Sequence, residues 1–306
     1  MQKDTISLLL NNLQDPASAL VKKQAEKVAE FETGVLLYGE TGTGKDFWAE
    51  FIQLASGSEK MLNLNCGDVP EHLIESEWFG YSRGAFTGAD DDHEGRWATA
   101  GNGIIFLNQI DLLSINMQSR LLRIIERKKY FPLGSTVEKE IDARFLFSAD
   151  HNIEEKVRNG KFRSDLYYRI SAFSIKIPPL RERKEDIMPL IKFFASEAGT
   201  GIKLTKKGEK NLLGHRWDGN IREVKNFVNN ISVQKNLIDD SDTEKMTGNS
   251  FDPERSFTSE DLTLRELETK YIDHLIKKYG NKSKIAQILG ISRKSLYDRI
   301  EKYGKD

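Results

Sequence analysis

Cysteine is nearly absent from this chain of 306 residues: Cys66 stands alone. No internal disulfide can form, and a reducing compartment suits the protein. The single thiol is expected to act as a small buried apolar residue. Histidine is scarce too. Its five copies, at 72, 93, 151, 215 and 274, lack ligand spacing, and no zinc site is predicted. No apolar run reaches the roughly 20 residues of a membrane-spanning helix, and Met1-Gln2-Lys3-Asp4 opens no signal-peptide pattern. A cytoplasmic protein with no membrane partner is expected. Net charge is also missing: 46 Lys and Arg against 47 Asp and Glu leave −1 at pH 7. Global charge therefore argues for neither nucleic acid nor membrane, and any basic surface must be local. No long internal repeat is present.

What is present is an alternation. From 34 to about 180, apolar strand-like runs alternate with helical stretches, the pattern of a parallel sheet covered on both faces. The predicted strands are Val35–Tyr38, Met61–Asn65, Gly103–Asn108, Phe145–Ala149 and Phe173–Ile177. Directly after the first comes Gly39-Glu40-Thr41-Gly42-Thr43-Gly44-Lys45-Asp46, which fits the phosphate-cradling template G-x-x-x-x-G-K between a strand and a helix. Its glycines let the backbone wrap phosphate oxygens, its N–H groups and the helix start supply positive partial charge, and Lys45 adds a full charge. Nucleotide binding follows. Asp46 stands where a Ser or Thr would place a hydroxyl on Mg²⁺.

The rest of the chain divides around this domain. Residues 1–33 read as a helical lead-in, too short for a separate sensory domain, so control is expected from another protein, from expression level or from nucleotide itself. Residues 181–238 read as a small helical subdomain, with apolar positions at helical spacing in Ile187–Ala195 and Ile221–Ile231. Residues 239–260, acidic and rich in Ser, Thr, Gly and Asn, read as a linker. Residues 261–306 return to helix. There Asn281–Gly290 and Ile291–Ile300 form two short helices joined at a glycine, with Ser292 as N-cap of the second. This is the helix-turn-helix arrangement, whose second helix places its first residues in the major groove. Lys282, Ser283, Ser292, Arg293, Lys294, Ser295, Tyr297 and Arg299 are the candidate DNA contacts. Residues 262–306 carry 11 Lys or Arg against 6 Asp or Glu, a local +5 that suits phosphate contact.

Inside the first domain lies Gly84-Ala85-Phe86-Thr87-Gly88-Ala89, where small residues surround one aromatic and one hydroxyl. A loop tip presenting Phe86 and Thr87 outward is expected. Placed after the phosphate loop, this hexapeptide resembles the signature loop of the bacterial enhancer-binding proteins, the AAA+ activators of sigma-54 RNA polymerase. Further segments are similar to that family in the same order: Leu64-Asn65-Cys66, Gly160 to Ile170, Pro178 to Ile187, and Trp217 to Val224. The C-terminal segment resembles the family's Fis-like DNA-binding domain, although Asp298 falls where a basic residue is common.

The resemblance implies an α/β AAA+ parallel sheet with a helical lid subdomain, followed by an all-α helix-turn-helix domain. It implies ATP and Mg²⁺ as ligands and sigma-54 RNA polymerase and enhancer DNA as partners. It assigns sigma-54 contact to Gly84–Ala89, nucleotide-state relay to Asn65, and phosphate contact to Arg222 of the sensor II segment. Arg163 and Arg169 become arginine fingers that reach a neighbouring subunit's nucleotide. A finger supplied in trans requires a closed ring, here a hexamer or heptamer.

Three positions depart from that pattern. The strand that should end in Asp-Glu ends in Asn108-Gln109. Asn108 brings no negative charge to Mg²⁺, whose affinity should fall. Gln109 can orient a water but cannot take its proton, and loss of a positioned base costs about 10² to 10⁴ in rate. At the sensor I position, Asp150 replaces the usual Asn. Either the chain binds ATP and hydrolyses it slowly or not at all, or Asp150 or Asp111 takes over the carboxylate role. In the first case nucleotide occupancy sets the Phe86 loop, and Arg163 and Arg169 could complete a neighbour's site in a mixed ring with a competent paralogue. Alternation along the strand favours the first case, since it leaves Asp111 past the strand end and Asp150 on another strand.

Overall fold

The computed structural model describes residues 3–67 and 71–248, together with Lys282, Ile285, Ala286, Leu289, Ile291, Ser295 and Leu296. The chain opens with α1 (Lys3–Asn12) and α2 (Pro16–Ala29). Asp15 caps α2 by accepting from the Ala17 amide at 2.9 Å, and Pro16 takes the first helical position, where a missing N–H is harmless. There follow β1 (Val35–Tyr38), α3 (Lys45–Ala55), β2 (Met61–Asn65), α4 (Glu71–Phe79), β3 (Ile104–Asn108) and α5 (Ile115–Arg127). After a short antiparallel pair, β4 (Lys129–Tyr130) and β5 (Lys139–Glu140), come β6 (Arg144–Ala149), α6 (Ile153–Arg158), α7 (Ser164–Ile170) and β7 (Ser174–Lys176).

Five of these strands form one parallel sheet in the order β2-β3-β6-β1-β7. The five predicted strands all lie in it, to within one residue at each end. Alternation along the strands divides their side chains between two cores. Leu36, Ile105, Leu107, Phe145 and Phe147 point to one, which α4 to α7 cover. Val35, Leu37, Ile104, Phe106 and Leu146 point to the other, which α2 and α3 cover with Val21, Ala25, Trp48 and Ile52. β1 thus lies inside the sheet with β6 and β7 beside it, and its C-terminal end opens where ligands of such sheets bind.

The lid comprises α8 (Ile187–Glu197), β8 (Gly201–Lys203), α9 (Lys206–Gly214), α10 (Asn220–Lys235), β9 (Leu237–Asp239) and α11 (Asp240–Gly248). Its core gathers Leu190, Ile191, Leu212, Trp217, Val224 and Val228, and Leu9 of α1 joins it. The buried Trp217 indole donates to the Leu212 carbonyl at 2.9 Å.

One boundary is corrected. The stretch expected as a linker from 239 begins with β9's last residue and then α11, which packs on α9. Polar contacts hold α11 there: Asp240 accepts from the Thr205 amide and hydroxyl, and Thr243 is buried against Asn211. No apolar stripe announces such a helix. The rest of the expected linker lies outside the described residues. By contacts the chain parts into two compact units, Met1–Asn249 and Ser250–Asp306. In the second, Ile285, Ala286 and Leu296 are buried together, flanked by Leu289 and Ile291.

Candidate functional site

The phosphate loop runs from the end of β1 to the start of α3. Gly42 and Gly44 have φ of 80° and 99°, left-handed values that admit glycine readily. A Cβ on Gly39 would lie 2.5 Å from the Ile177 carbonyl, and one on Gly42 would collide with the Gly219 carbonyl. Gly42 is therefore required by the lid's approach as well as by the turn. The Lys45 ammonium donates to the Gly39 and Glu40 carbonyls at 2.7 and 3.0 Å. Burial lowers its pKa, opposed by the carboxylates of Asp150, Asp111 and Asp46 around it.

The carbonyls and side chains of this loop are held by the lid side. Arg181 forms a two-point ion pair with Glu40, at 2.7 and 2.5 Å. That pairing, with a further bond from Asn220, holds the Glu40 carboxyl below its ordinary value. Asn220, buried and with φ of 54°, donates to the Thr41 carbonyl at 3.0 Å and accepts from the Leu180 amide at 2.7 Å. The Ile221 amide donates to the Gly42 carbonyl at 2.9 Å. Arg183, fully buried, donates to the Thr43 carbonyl at 2.7 Å. Burial lowers the Arg183 guanidinium to about 10, against the pull of Asp186 and Asp15. With its carbonyls drawn to the lid, the loop has its amide edge left to face an anion. Glu40, expected among the nucleotide contacts, turns its side chain to Arg181 and Asn220 instead. Arg222 is exposed at the start of α10, near enough for its charge to act on Lys45 and Asp46.

Beside the loop, the ends of β3 and β6 meet it. The Asn108 amide donates to Asp46 Oδ1 at 2.6 Å, and its oxygen accepts from the Ser148 hydroxyl. Asp46 touches solvent from a cleft crowded with protein atoms, and the resulting desolvation raises its pKa. Gln109 adopts φ of 59°, with its backbone N–H donating to Ser148 Oγ at 2.9 Å. A Cβ on Gly67 would come within 3.2 Å of Gln109 Oε1 and 3.7 Å of Asn65 Oδ1, so both side chains lie against that glycine. The two carboxylates offered as substitutes are engaged. Asp111 is buried, bound to Lys156 at 2.5 Å and to the Asp150 amide at 3.2 Å. Asp150 pairs with His151 at 2.6 Å.

The two expected fingers differ. Arg163 is paired with Asp165 at 3.0 and 2.6 Å and donates to Ser119 at 3.0 Å. Arg169 is exposed on α7. The 84–89 loop is closed by the Gly84 amide on the Ala89 carbonyl at 2.8 Å. Phe86 is 47% exposed, with one edge against Tyr81, and Thr87 is exposed as expected of a loop tip. Ser82 and Gly80 pair with Leu133, which anchors the loop's base on the segment between β4 and β5. Of the candidate DNA contacts, Lys282 is exposed and Ser295 half-buried, both helical. Ser283, Ser292, Arg293, Lys294, Tyr297 and Arg299 lie outside the described residues. Arg181, Arg183 and Asn220 are organising residues that sequence reasoning did not assign.

Three stretches match family models. Residues 12–176 match the Sigma-54 interaction domain, 181–248 the AAA+ ATPase lid domain, and 263–303 the bacterial regulatory protein, Fis family. The chain is 36% identical over 302 residues to a signal-transduction and transcriptional-control protein of Clostridium beijerinckii, covering 95% of this chain and 48% of that protein. It is 39% identical over 220 residues to the Nif-specific regulatory protein of Azospirillum brasilense, covering 70% and 35%. With the pathogenicity locus probable regulatory protein HrpS of Pseudomonas syringae pv. syringae it shares 35% identity over 285 residues, 90% of this chain and 91% of HrpS. The chain thus spans half or less of the first two relatives. In fold it is similar to crystal structures of NtrX from Brucella abortus. One has a TM-score of 0.69 at 24% identity, covering 97% of this chain and 70% of NtrX. Another, in complex with ADP, has a TM-score of 0.68 at 23% identity, covering 95% and 68%.

Proposed function

This chain belongs to the sigma-54 interaction family of AAA+ proteins, and on that premise we propose that it is a sigma-54-dependent transcriptional regulator that binds ATP but turns it over slowly or not at all. It acts in the cytoplasm, presents the Phe86 loop to sigma-54 RNA polymerase and holds enhancer DNA through its Fis-type module. Nucleotide occupancy, rather than turnover, sets the loop.

The phosphate loop fits a nucleotide: its amide edge is free of the lid, and Lys45 and Arg222 bring positive charge to it. NtrX, similar in fold, was crystallised with ATP and with ADP. Asp46 is the carboxylate that would hold Mg²⁺ beside the phosphates, and one carboxylate with phosphates and waters is the smaller of that ion's usual protein ligand sets. Bound there, the metal would neutralise phosphate charge.

The observation that carries slow turnover is the Asn108 amide lying between Asp46 and Ser148. The strand end presents amides where a carboxylate is needed, Asp111 is bound to the Lys156 ammonium, and Asp150 pairs with His151. Gln109 can orient a water beside Asn65 but cannot take up its proton. Exposed Arg169, and Arg163 once released from Asp165, would serve a neighbour's nucleotide. That suits a hexameric or heptameric ring, including a mixed one with a competent paralogue.

Steady-state phosphate release tests the proposal. Gln109→Glu, which returns a proton acceptor, is expected to raise release by about 10²-fold or more over the unaltered chain. Equal release from both, abolished by Asp150→Ala, would instead establish the rearranged site.

A further inference from the structure

On the basis of the nucleotide-binding function just proposed, we infer that Glu40 is a positioning residue that makes the shape of the phosphate loop and the position of the lid a single variable, through its contacts to Arg181 and Asn220. Four successive loop residues accept hydrogen bonds from the lid side: Glu40 through its carboxylate, and Thr41, Gly42 and Thr43 through their carbonyls. Only the first of these contacts is made by a side chain of the loop. It is the one a substitution within the loop can remove while leaving every backbone group in place.

The geometry gives Glu40 more weight than an ordinary surface ion pair. Exposed pairs contribute little, because water screens them and two long side chains must be held still. Here the guanidinium meets the carboxylate at two points, at 2.7 and 2.5 Å, with Arg181 and Glu40 about one-third and one-quarter exposed. The same Oε2 lies 3.3 Å from the Asn220 amide, and Asn220 is itself fully buried. Asn220 has its remaining donor capacity spent on Thr41 and Asp218 and its oxygen on Leu180. A buried amide held from several sides has one arrangement, so a carboxylate that engages it shares that arrangement.

The coupling runs in both directions. Phosphate drawn onto the loop amides requires the loop carbonyls to stay turned outward. They stay outward while the lid donors reach them, and Glu40 keeps Arg181 and Asn220 within reach. A loop that has lost Glu40 still offers Lys45 and its amides to a nucleotide. What it loses is the obligation of the lid to follow.

Hydrogen exchange on the full chain tests this at the Ile221 amide, whose acceptor is the Gly42 carbonyl. In the unliganded protein, Glu40→Gln is expected to speed exchange there by about 10-fold or more, the range of a charge-assisted hydrogen bond. Saturating ATP should then protect residues 219–224 in the unaltered chain but not in Glu40→Gln, although fluorescent nucleotide still binds the variant. Arg181→Gln removes the other end of the contact and should reproduce these effects, with the double variant no worse than either alone. Unchanged protection in Glu40→Gln, or additive effects in the double variant, overturns the inference. Failure of the unaltered chain to bind nucleotide would overturn the function it rests on, and is seen separately in the binding assay.

Discussion

Asn108 and Asp46 are hydrogen-bonded across the mouth of the site, the amide of one donating to the carboxylate of the other at 2.6 Å. Two positions that look like independent departures in the sequence are thus one local arrangement. The negative charge that the strand end lacks stands on the first turn of α3, and the amide is the group that can accompany it there without repulsion.

Restoring the carboxylate at 108 alone should therefore harm the protein. Asn108→Asp sets two acids within hydrogen-bond distance, and they cannot both ionise freely. A loss of about 1 kcal/mol or more is expected at pH 7, read as a lower melting temperature. The loss should shrink on acidification and disappear when Asp46→Thr accompanies the change.

Metal dependence should follow the titration of Asp46. Its folded-state pKa lies above the ordinary 3.8 because the protein atoms crowding the cleft desolvate the carboxylate, although it touches solvent. Acidification from neutral pH towards 3.8 thus protonates it earlier than an exposed Asp. The sign for folding is slightly favourable, since the acid is more readily neutralised folded than unfolded. For a cation it is unfavourable, so the gain in ATP affinity from Mg²⁺ should fall over that window. Asp46→Asn should cut that gain about 10-fold or more at pH 7 and flatten its pH dependence, as measured by titration calorimetry.

Phe86→Ala removes the exposed ring without touching the loop's closing hydrogen bond between Gly84 and Ala89. Buried aromatic anchors contribute about 2 kcal/mol or more to an interface. Binding of sigma-54 in the nucleotide-bound state should weaken by about 30-fold, with nucleotide affinity and melting temperature unchanged. Binding unaltered by the substitution would place the polymerase contact elsewhere.

The parts of the fold that read correctly from sequence are those with a short-range signature. The β1, β3 and β6 runs are apolar on both faces because both are covered, and the phosphate loop has fixed spacing between a strand and a helix. The helix α11 escaped because it buries Thr243 and Asp242 rather than an apolar stripe. Glu40 read as a phosphate-loop residue because of its neighbours, whereas its partners, Arg181 and Asn220, lie 141 and 180 residues away in the chain.

The sequence by itself determined that there is a phosphate loop, that its strand-end carboxylates are amides, and that a Phe-tipped loop and a basic helical tail accompany it. These are matters of residue identity and local spacing. Only the tertiary structure decided what each carboxylate meets: Asp46 the Asn108 amide, Asp111 the Lys156 ammonium, and Glu40 the Arg181 guanidinium. A carboxylate's chemistry depends on the cation, amide or solvent within a few ångströms of it. Those neighbours come from strands and helices that only folding brings together.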